Sequence, residues 1–377
     1  MSRLATLALL LALTPLASAQ TVTVETIVPE GSAIDDALAI GPDGALYGSR
    51  FGGTGQTVTR VNLETGVTST YATGFSRANG LSFGPDGSLY AANYGRGQIR
   101  KVLPGGASSV FYQASGTTLS GVAYDLQNDV IYIASYDGDW IRRLSTSGEA
   151  TEIELGGLEG PAGLAFDDQN RLHIANFDNG RIFRFTGSGL TLLADLRTQV
   201  GFLAYGGGQF YATGINTHLI YQISPSGEVT TLAGTGTAGL VDGPASTAQF
   251  NKPNGIVSNV AGDTLYVSDS RTRAIRRIVI QTVTSAEEGP LQTGALLAPS
   301  PNPATSSTQI RFQLDAPEYL EMALHDSLGR RVRSLGAAVH PAGDHTLDID
   351  LDGLAPGLYV VTMHRDGRAE SRSFVRR

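Results

Sequence analysis

The chain has 377 residues, a formal net charge of -8 and no cysteine. The lack of cysteine excludes a disulfide framework and thiolate metal sites, and the mild acidity without charge runs argues against nucleic-acid or anionic-membrane partners. Its 47 glycines, with charged residues at only 16%, are typical of an all-β protein with many tight turns.

Residues 1–19 have the features of a secretory signal. Arg3 gives a positive start, and residues 4–13 form an apolar core. Small residues then precede Gln20, which predicts cleavage between Ala19 and Gln20. The alternative is a membrane anchor, but the apolar run is shorter than the roughly 20 residues that a spanning helix needs. We therefore expect an exported mature protein with no transmembrane segment.

A repeat unit then recurs six times. Its anchor, an apolar residue after a small one, lies 39–43 residues from the next, except before the last unit, where an insert at 234–250 lengthens the spacing. The anchors are Leu38, Leu81, Val122, Leu164, Leu203 and Ile256. Each unit contains three short strands separated by turn residues, and the first five add a fourth, more polar strand. Such a period indicates β-propeller blades.

The sixth unit lacks its fourth strand. Residues 21–28 alternate as a strand and precede the first unit. Pairing this segment into the last blade would close the ring and remove its open edges. The sequence thus predicts a six-bladed propeller over residues 20–283.

Residues 231–278 resemble an NHL repeat, on the strength of an Asp-Gly step at Asp242 and the run Ala248-Gln-Phe-Asn-Lys-Pro-Asn-Gly-Ile256. The other units are looser and also resemble the gluconolactonase-like, calcium-dependent propellers. The resemblance implies the same propeller fold and a possible Ca²⁺ in its channel.

After a linker at 284–298, residues 299–377 show short alternating strands of a small β-sandwich. The run Pro301-Asn302-Pro303, the turn around Gly329-Arg330 and the segment 354–361 resemble the type A sorting domain of the type IX secretion system. The resemblance implies export by that machinery, and a protein that is released or attached to the outer-membrane surface.

Two familiar motifs occur in unsuitable contexts. Gly80-Leu-Ser82-Phe-Gly84 fits a nucleophile elbow, but no helix follows the strand. The glycines of 234–239 fit a dinucleotide fingerprint, again without a helix to bind the pyrophosphate. We interpret both as ordinary parts of blades.

Equivalent positions at strand ends predict two rings of side chains around the channel. One ring precedes the first strand of each unit and the other ends the second strand. The large polar members are Asp36, Asn79 and Asn254 in the first ring and Arg50, Asn93, Asn176 and Asp269 in the second. Apart from Asn176 they belong to units six, one and two, which predicts a channel that is polar on one side.

Asp36, Asn79, Asn254 and Asp269 are candidate Ca²⁺ ligands, because their oxygens are of the kind that this ion prefers. Members of the gluconolactonase-like family hold a metal with Asp and Asn at comparable positions, but no glutamate on the opening strand completes the site here. Arg50 could instead bind a carboxylate or sugar acid. The alternative is that these side chains cap turns.

His173 replaces a tyrosine that the other five units share, so we expect it to pack in the core. The other histidine of the propeller region is His218, and no pair of histidines has the spacing of a zinc site. Trp140 and Tyr136 bracket a loop that could stack a sugar ring or simply pack at a blade edge.

These observations leave two functions open. One is a non-catalytic binding module for a protein, glycan or small molecule. The other is a metal-dependent, lactonase-type hydrolase with its ion in the channel. No catalytic residue is assigned on either reading.

Overall fold

The computed structural model describes residues 20–53, 56–282, 296–327, 329–365 and 368–376. The expected signal segment and most of the expected linker lie outside these ranges. Within them the regular secondary structure is β-strand, apart from one three-residue 3-10 turn at Tyr94–Arg96. No helix in the described ranges has the length and apolarity needed to cross a membrane.

Six antiparallel sheets form the blades: five have four strands each, and the sixth has a fifth, two-residue strand. The strands of blades 1 to 3 are β2 (Leu38–Ile40), β3 (Leu46–Ser49), β4 (Val58–Val61), β5 (Thr68–Ala72), β6 (Ala78–Phe83), β7 (Leu89–Asn93), β8 (Gln98–Val102), β9 (Ser108–Gln113), β10 (Leu119–Asp125), β11 (Val130–Ser135), β12 (Trp140–Leu144) and β13 (Ala150–Ile153). Those of blades 4 and 5 are β14 (Pro161–Phe166), β15 (Leu172–Asn176), β16 (Arg181–Phe185), β17 (Leu190–Asp195), β18 (Val200–Gly206), β19 (Gln209–Gly214), β20 (Leu219–Ile223) and β21 (Val229–Ala233).

Blade 6 is completed by the N-terminal strand, as the sequence predicts. Its strands are β1 (Gln20–Val28), β22 (Gly243–Pro244), β23 (Pro253–Ser258), β24 (Thr264–Asp269) and β25 (Ala274–Thr282). β1 pairs antiparallel with β25 from Gln20↔Thr282 to Val28↔Ile275, and β22, from the insert, pairs with its outer edge. The first strands of successive blades contact one another in cyclic order, including β2 with β23, so the ring is closed.

The turns between first and second strands show why the repeat folds this way. Gly44 adopts φ 73°, a conformation that glycine reaches without steric cost. Asp43 caps the same turn by accepting the backbone N–H of Ala45 at 3.2 Å. Leu46 then enters the core with no exposed surface. A local signal therefore fixes the strand ends, and burial of alternate residues fixes the register.

The C-terminal segment is a separate sandwich of two sheets. β26 (Ser307–Leu314) pairs with β29 (Gly343–Asp350), and the other sheet has the order β28 (Arg331–His340), β27 (Glu318–Asp326), β30 (Gly357–Arg365), β31 (Arg368–Arg376). Apolar residues of both sheets share one core. Leu296, which the sequence analysis assigns to the linker, is buried in that core. The sandwich contacts the propeller where Arg330 donates to the Pro85 oxygen at 2.8 Å.

Candidate functional site

The two predicted rings lie at one end of the blades. The first strands contact each other around the ring and therefore line the channel. The start of each first strand pairs with the end of the second, as in Ala78↔Asn93 and Pro253↔Asp269. We call this end the channel mouth. The turns between first and second strands lie at the opposite end.

Three of the predicted residues meet at the channel mouth and join blades 6, 1 and 2. The Asp36 carboxylate accepts the Nδ2 of Asn79 at 3.0 Å and the Nδ2 of Asn254 at 2.8 Å. We call these three residues the amide–carboxylate cluster. Asp36 is 2% exposed. Burial raises the pKa of Asp36 well above its usual value, and the neighbouring Asp35 raises it further.

The cluster does not fit Ca²⁺ as it is arranged. The backbone N–H of Gly80 donates to Asn79 Oδ1 at 2.9 Å, so the Nδ2 of Asn79 must face Asp36. Both Asp36 oxygens thus accept amide hydrogens, whereas the ion needs oxygens directed at it. Asn254 Oδ1 is the exception, because it is buried without a hydrogen-bond partner. Among the described residues, no three His, Cys, Asp or Glu side chains are grouped to hold a metal.

The contacts of Asp269 differ from those of the cluster. Its Oδ1 accepts the backbone N–H of Asn251 at 2.6 Å, and its Oδ2 lies 3.7 Å from Arg276 Nη1. The preceding residue, Ser268, instead donates to the backbone oxygen of Asp36. Successive side chains of a strand point to opposite faces, so Asp269 is directed away from Asp36. Burial raises the pKa of Asp269 to about 7, despite the nearby Asn251 N–H and Arg276.

The remaining second-ring candidates fasten loops at the channel mouth. Asn93 Oδ1 accepts the backbone N–H of Ser76 at 2.6 Å. Asn176 Nδ2 donates to the Gly157 oxygen at 3.1 Å, and Arg50 Nε donates to the Gly52 oxygen at 3.1 Å. These contacts support the alternative in which such residues cap turns.

Sequence reasoning missed a row of aromatic side chains one position beyond the second ring. Phe51, Tyr94, Tyr136 and Phe177 follow the second strands of blades 1 to 4, and blades 5 and 6 carry Ile215 and Ser270 there. Ring centroids are 5.0 Å apart for the first pair, 6.2 Å for the second and 5.7 Å for the third. We call these four residues the aromatic arc. The signal was available, because all four occupy one register position.

The backbone holds this position in the same way in five of the six blades. In blades 2 to 6 its N–H donates to the carbonyl of a residue just before the first strand. These bonds are Tyr94 to Arg77, Tyr136 to Thr118, Phe177 to Gly160, Ile215 to Gln199 and Ser270 to Lys252. In blade 1 the acceptor is the side chain of Asp35, whose Oδ1 lies 2.7 Å from the Phe51 nitrogen. The arc is therefore fixed by the blade architecture.

Polar groups border the arc, and its four rings are half-buried. The Tyr136 hydroxyl donates to Asp178 Oδ1 at 2.9 Å, and the Arg77 guanidinium lies 5.5 Å from the Phe51 ring centre. Burial and Asp178 raise the pKa of Tyr136 to about 12. Trp140, from the same loop, instead stacks against Arg142 at 4.1 Å. Rigid rings with polar neighbours are typical of binding surfaces.

Residues 300–376 match the family model of a secretion system C-terminal sorting domain. This match confirms the predicted sorting domain. It indicates an exported protein, located at the cell surface or released from it.

The propeller resembles solved propellers at low sequence identity. An auxiliary nutrient binding protein from Bacteroides thetaiotaomicron superposes with a TM-score of 0.60 and 18% identity, over 71% of this chain and 79% of that one. A gluconolactonase from Xanthomonas campestris superposes with a TM-score of 0.54 and 13% identity, over 68% of this chain and 89% of that one. These likenesses confirm the propeller fold.

One curated protein shares a shorter segment. Protein SUPPRESSOR OF QUENCHING 1, chloroplastic, from Arabidopsis thaliana is 33% identical over 122 residues. The match covers 32% of this chain and only 11% of the plant protein.

Proposed function

We propose that the exported propeller is a non-catalytic binding module whose ligand, a protein, glycan or small molecule, docks at the channel mouth. The observation that carries this proposal is the aromatic arc. Four rings at one register position offer a continuous contact surface with little side-chain entropy to lose. The solved auxiliary nutrient binding protein supports the proposal. This support is an analogy, because fold alone does not determine function.

The amide–carboxylate cluster supports the same proposal. Both oxygens of Asp36 are engaged by Asn79 and Asn254, so the carboxylate joins blades. A general base or metal ligand must be within reach of a substrate or ion, whereas Asp36 is only 2% exposed. In this proposal the cluster serves as the rigid floor beneath the ligand.

The test is a screen of the mature protein against an oligosaccharide array and a small-metabolite library, repeated with Tyr94→Ala and Phe51→Ala. Loss of an aromatic contact should weaken the binding of a true ligand by about tenfold or more. Tyr319→Ala is the matched control, because Tyr319 is 58% exposed on the sorting domain. Ligands that bind the arc variants as well as they bind the wild type would contradict the proposed site.

The competing proposal is the calcium-dependent hydrolase, and one observation favours it. Asn254 Oδ1 is buried without a partner beside Asp36, and a cation would satisfy it. If Ca²⁺ raises the melting temperature and Asp36→Ala together with Asp269→Ala abolishes the rise, the metal site stands. If no divalent ion shifts the wild-type transition, the binding module is favoured.

A further inference from the structure

A second candidate site lies between blades 4 and 5, away from the channel mouth. A cavity of about 350 Å³ opens there between the first turn of blade 4 and the last turn of blade 5. Its lining includes Asp168, His173, Arg184, Leu193, Tyr205 and Ser226. The volume is at the lower end of the range of roughly 300–1,000 Å³ found for small-molecule sites.

The blade repeat shows what this cavity replaces. The same hydrogen bond closes the first turn in three blades: Gly41 N to Ala45 O, Gly84 N to Ser88 O, and Asp167 N to Arg171 O. The residue two positions after the donor is therefore equivalent in the three turns. It is Asp43 in blade 1, Asp86 in blade 2 and Gln169 in blade 4.

In blades 1 and 2 that aspartate neutralises a cation on the third strand. Asp43 lies 2.8 Å from Arg60, and Asp86 lies 2.9 Å from Lys101. Each cation is paired in register with a tyrosine of the second strand, Tyr47↔Arg60 and Tyr90↔Lys101. The Tyr47 hydroxyl also donates to Asp43 Oδ2 at 3.1 Å, and the Lys101 ammonium lies 5.4 Å from the Tyr90 ring centre.

Blade 4 keeps the cation and lacks the other two residues. The register pair there is His173↔Arg184, and the aspartate position is Gln169. Gln169 carries no charge, and imidazole is smaller than the phenol ring that five blades carry. The Arg184 backbone pairs with Thr191 in the sheet, but among the described residues its guanidinium has no hydrogen-bond or ion-pair partner. A cation without the carboxylate that blades 1 and 2 supply thus borders a cavity, whose own aspartate Asp167 pairs instead with Arg171.

His173 adds a hydrogen-bond acceptor to the same wall. It is 2% exposed and its ring centre lies 4.3 Å from that of Phe210. Its Nδ1 lies 3.1 Å from the Arg171 oxygen, which can only accept, so Nδ1 carries the hydrogen. Burial lowers the pKa of His173 despite the nearby Asp167, which favours the neutral ring. Nε2 is then an acceptor, without a partner in the described ranges.

We propose that this cavity binds a small organic acid. The ligand carboxylate pairs with Arg184 and takes the place that Asp43 and Asp86 occupy in their blades. A hydroxyl or ammonium group of the same ligand donates to His173 Nε2. The site does not depend on the function proposed for the channel mouth.

Two substitutions that restore the repeat pattern test this proposal. Gln169→Asp supplies the missing carboxylate to Arg184, and His173→Tyr supplies the missing ring. Both follow what other blades of the ring already contain, so the fold should persist, and thermal unfolding checks that it does. Each variant should prevent the ligand from binding while keeping Arg184, the cation that pairs with its carboxylate.

Isothermal titration with galacturonate, glutamate and neutral galactose measures the effect. We expect the wild-type protein to bind at least one of the acids and not galactose, the matched sugar without a carboxylate. Gln169→Asp, His173→Tyr and Arg184→Met should each weaken binding by about tenfold or more, as expected for loss of a charged hydrogen bond. Arg143→Met is the matched control, because Arg143 holds the equivalent register position opposite Tyr132 in blade 3.

Three outcomes overturn the proposal. The first is that neither acid binds at millimolar concentration, and the second is that galactose binds as well as galacturonate. The third is that Tyr94→Ala abolishes binding of the acid while the blade 4 variants leave it intact. That result would assign the acid to the channel mouth and leave the function proposed there standing.

Discussion

The Arg276 guanidinium donates to Asp242 Oδ1 at 2.8 Å, although the Arg276 side chain is fully buried and that of Asp242 is 49% exposed. Arg276 also donates to the backbone oxygens of Gln249 and Val241. Asp242 in turn accepts the backbone N–H of Thr26 on β1 at 3.0 Å. A single side chain therefore fastens the insert to the blade that closes the ring.

We expect Arg276→Met to lower the free energy of unfolding by about 3–5 kcal/mol, because it leaves buried acceptors and Asp269 without their cation. Urea denaturation of the mature protein measures the loss. Arg277→Met is the matched control: the Arg277 side chain is 34% exposed and pairs with Glu25, so its loss should cost under about 1 kcal/mol. Equal costs for the two variants would contradict a special role for Arg276.

Asp269 predicts a pH dependence of stability. Its pKa is raised to about 7 in the folded protein, against about 3.9 in an unfolded chain. The folded state therefore holds the proton more tightly, so the stabilisation is fully present below about pH 4 and is lost as the pH rises towards 7. The raised pKa of Asp36 acts in the same direction.

Melting temperatures across this window test the assignment. Between about pH 4 and about pH 7 the wild-type protein should lose the stabilisation that Asp269 supplies, and Asp269→Asn should remove that pH-dependent loss. Asp178→Asn serves as the control, because Asp178 is exposed beside the aromatic arc. This variant should leave the dependence of melting temperature on pH unchanged. A pH slope of Asp269→Asn equal to that of the wild type would contradict the raised pKa of Asp269.

The amide–carboxylate cluster predicts unequal costs for removing asparagines. Asn79→Ala and Asn254→Ala each take one donor from the buried Asp36 carboxylate, and each should cost about 1–3 kcal/mol by urea denaturation. Asn216→Ala is the control, because its bond to Gln199 is exposed and its loss should fall within about 0.5 kcal/mol of the wild type. Asn79→Ala that is as stable as Asn216→Ala would show that the Asp36–Asn79 bond contributes little.

The sequence predicted those features of the fold that rest on a local signal recurring from blade to blade. Turn residues such as Asp43 and Gly44 recur in register, and their recurrence fixed the blades, the ring closure by β1 and the sandwich after the linker. It also predicted that Asp36, Asn79 and Asn254 share one end of the channel.

Side-chain direction could not be predicted in the same way. Asp269 falls in the second ring by register, but the alternation along β24 directs Ser268, one residue earlier, to Asp36. The aromatic arc lies one residue beyond the second predicted ring. The unpaired Arg184 becomes visible only when turns of different blades are compared bond by bond.

The last prediction concerns the sorting domain. Residues 300–376 match the sorting family and form a sandwich with its own core, so their removal should leave the propeller folded but without its export address. In a host with the type IX machinery, the chain that lacks 299–377 should accumulate in the periplasm. Fractionation followed by immunoblotting measures the distribution, and thermal unfolding of the periplasmic product checks the propeller.

A point variant separates the address from the contact between the two domains. Ser327→Ala removes the hydrogen bond that Ser327 donates to the Gly41 oxygen of the propeller but keeps the sandwich strands, so we expect this variant to reach the cell surface or medium as the wild type does. Retention of both proteins would mean that export depends on Ser327 as well as on the sandwich. Normal release of the chain without 299–377 would contradict the role of the sorting domain in this protein, because a folded propeller would then cross the outer membrane by another route.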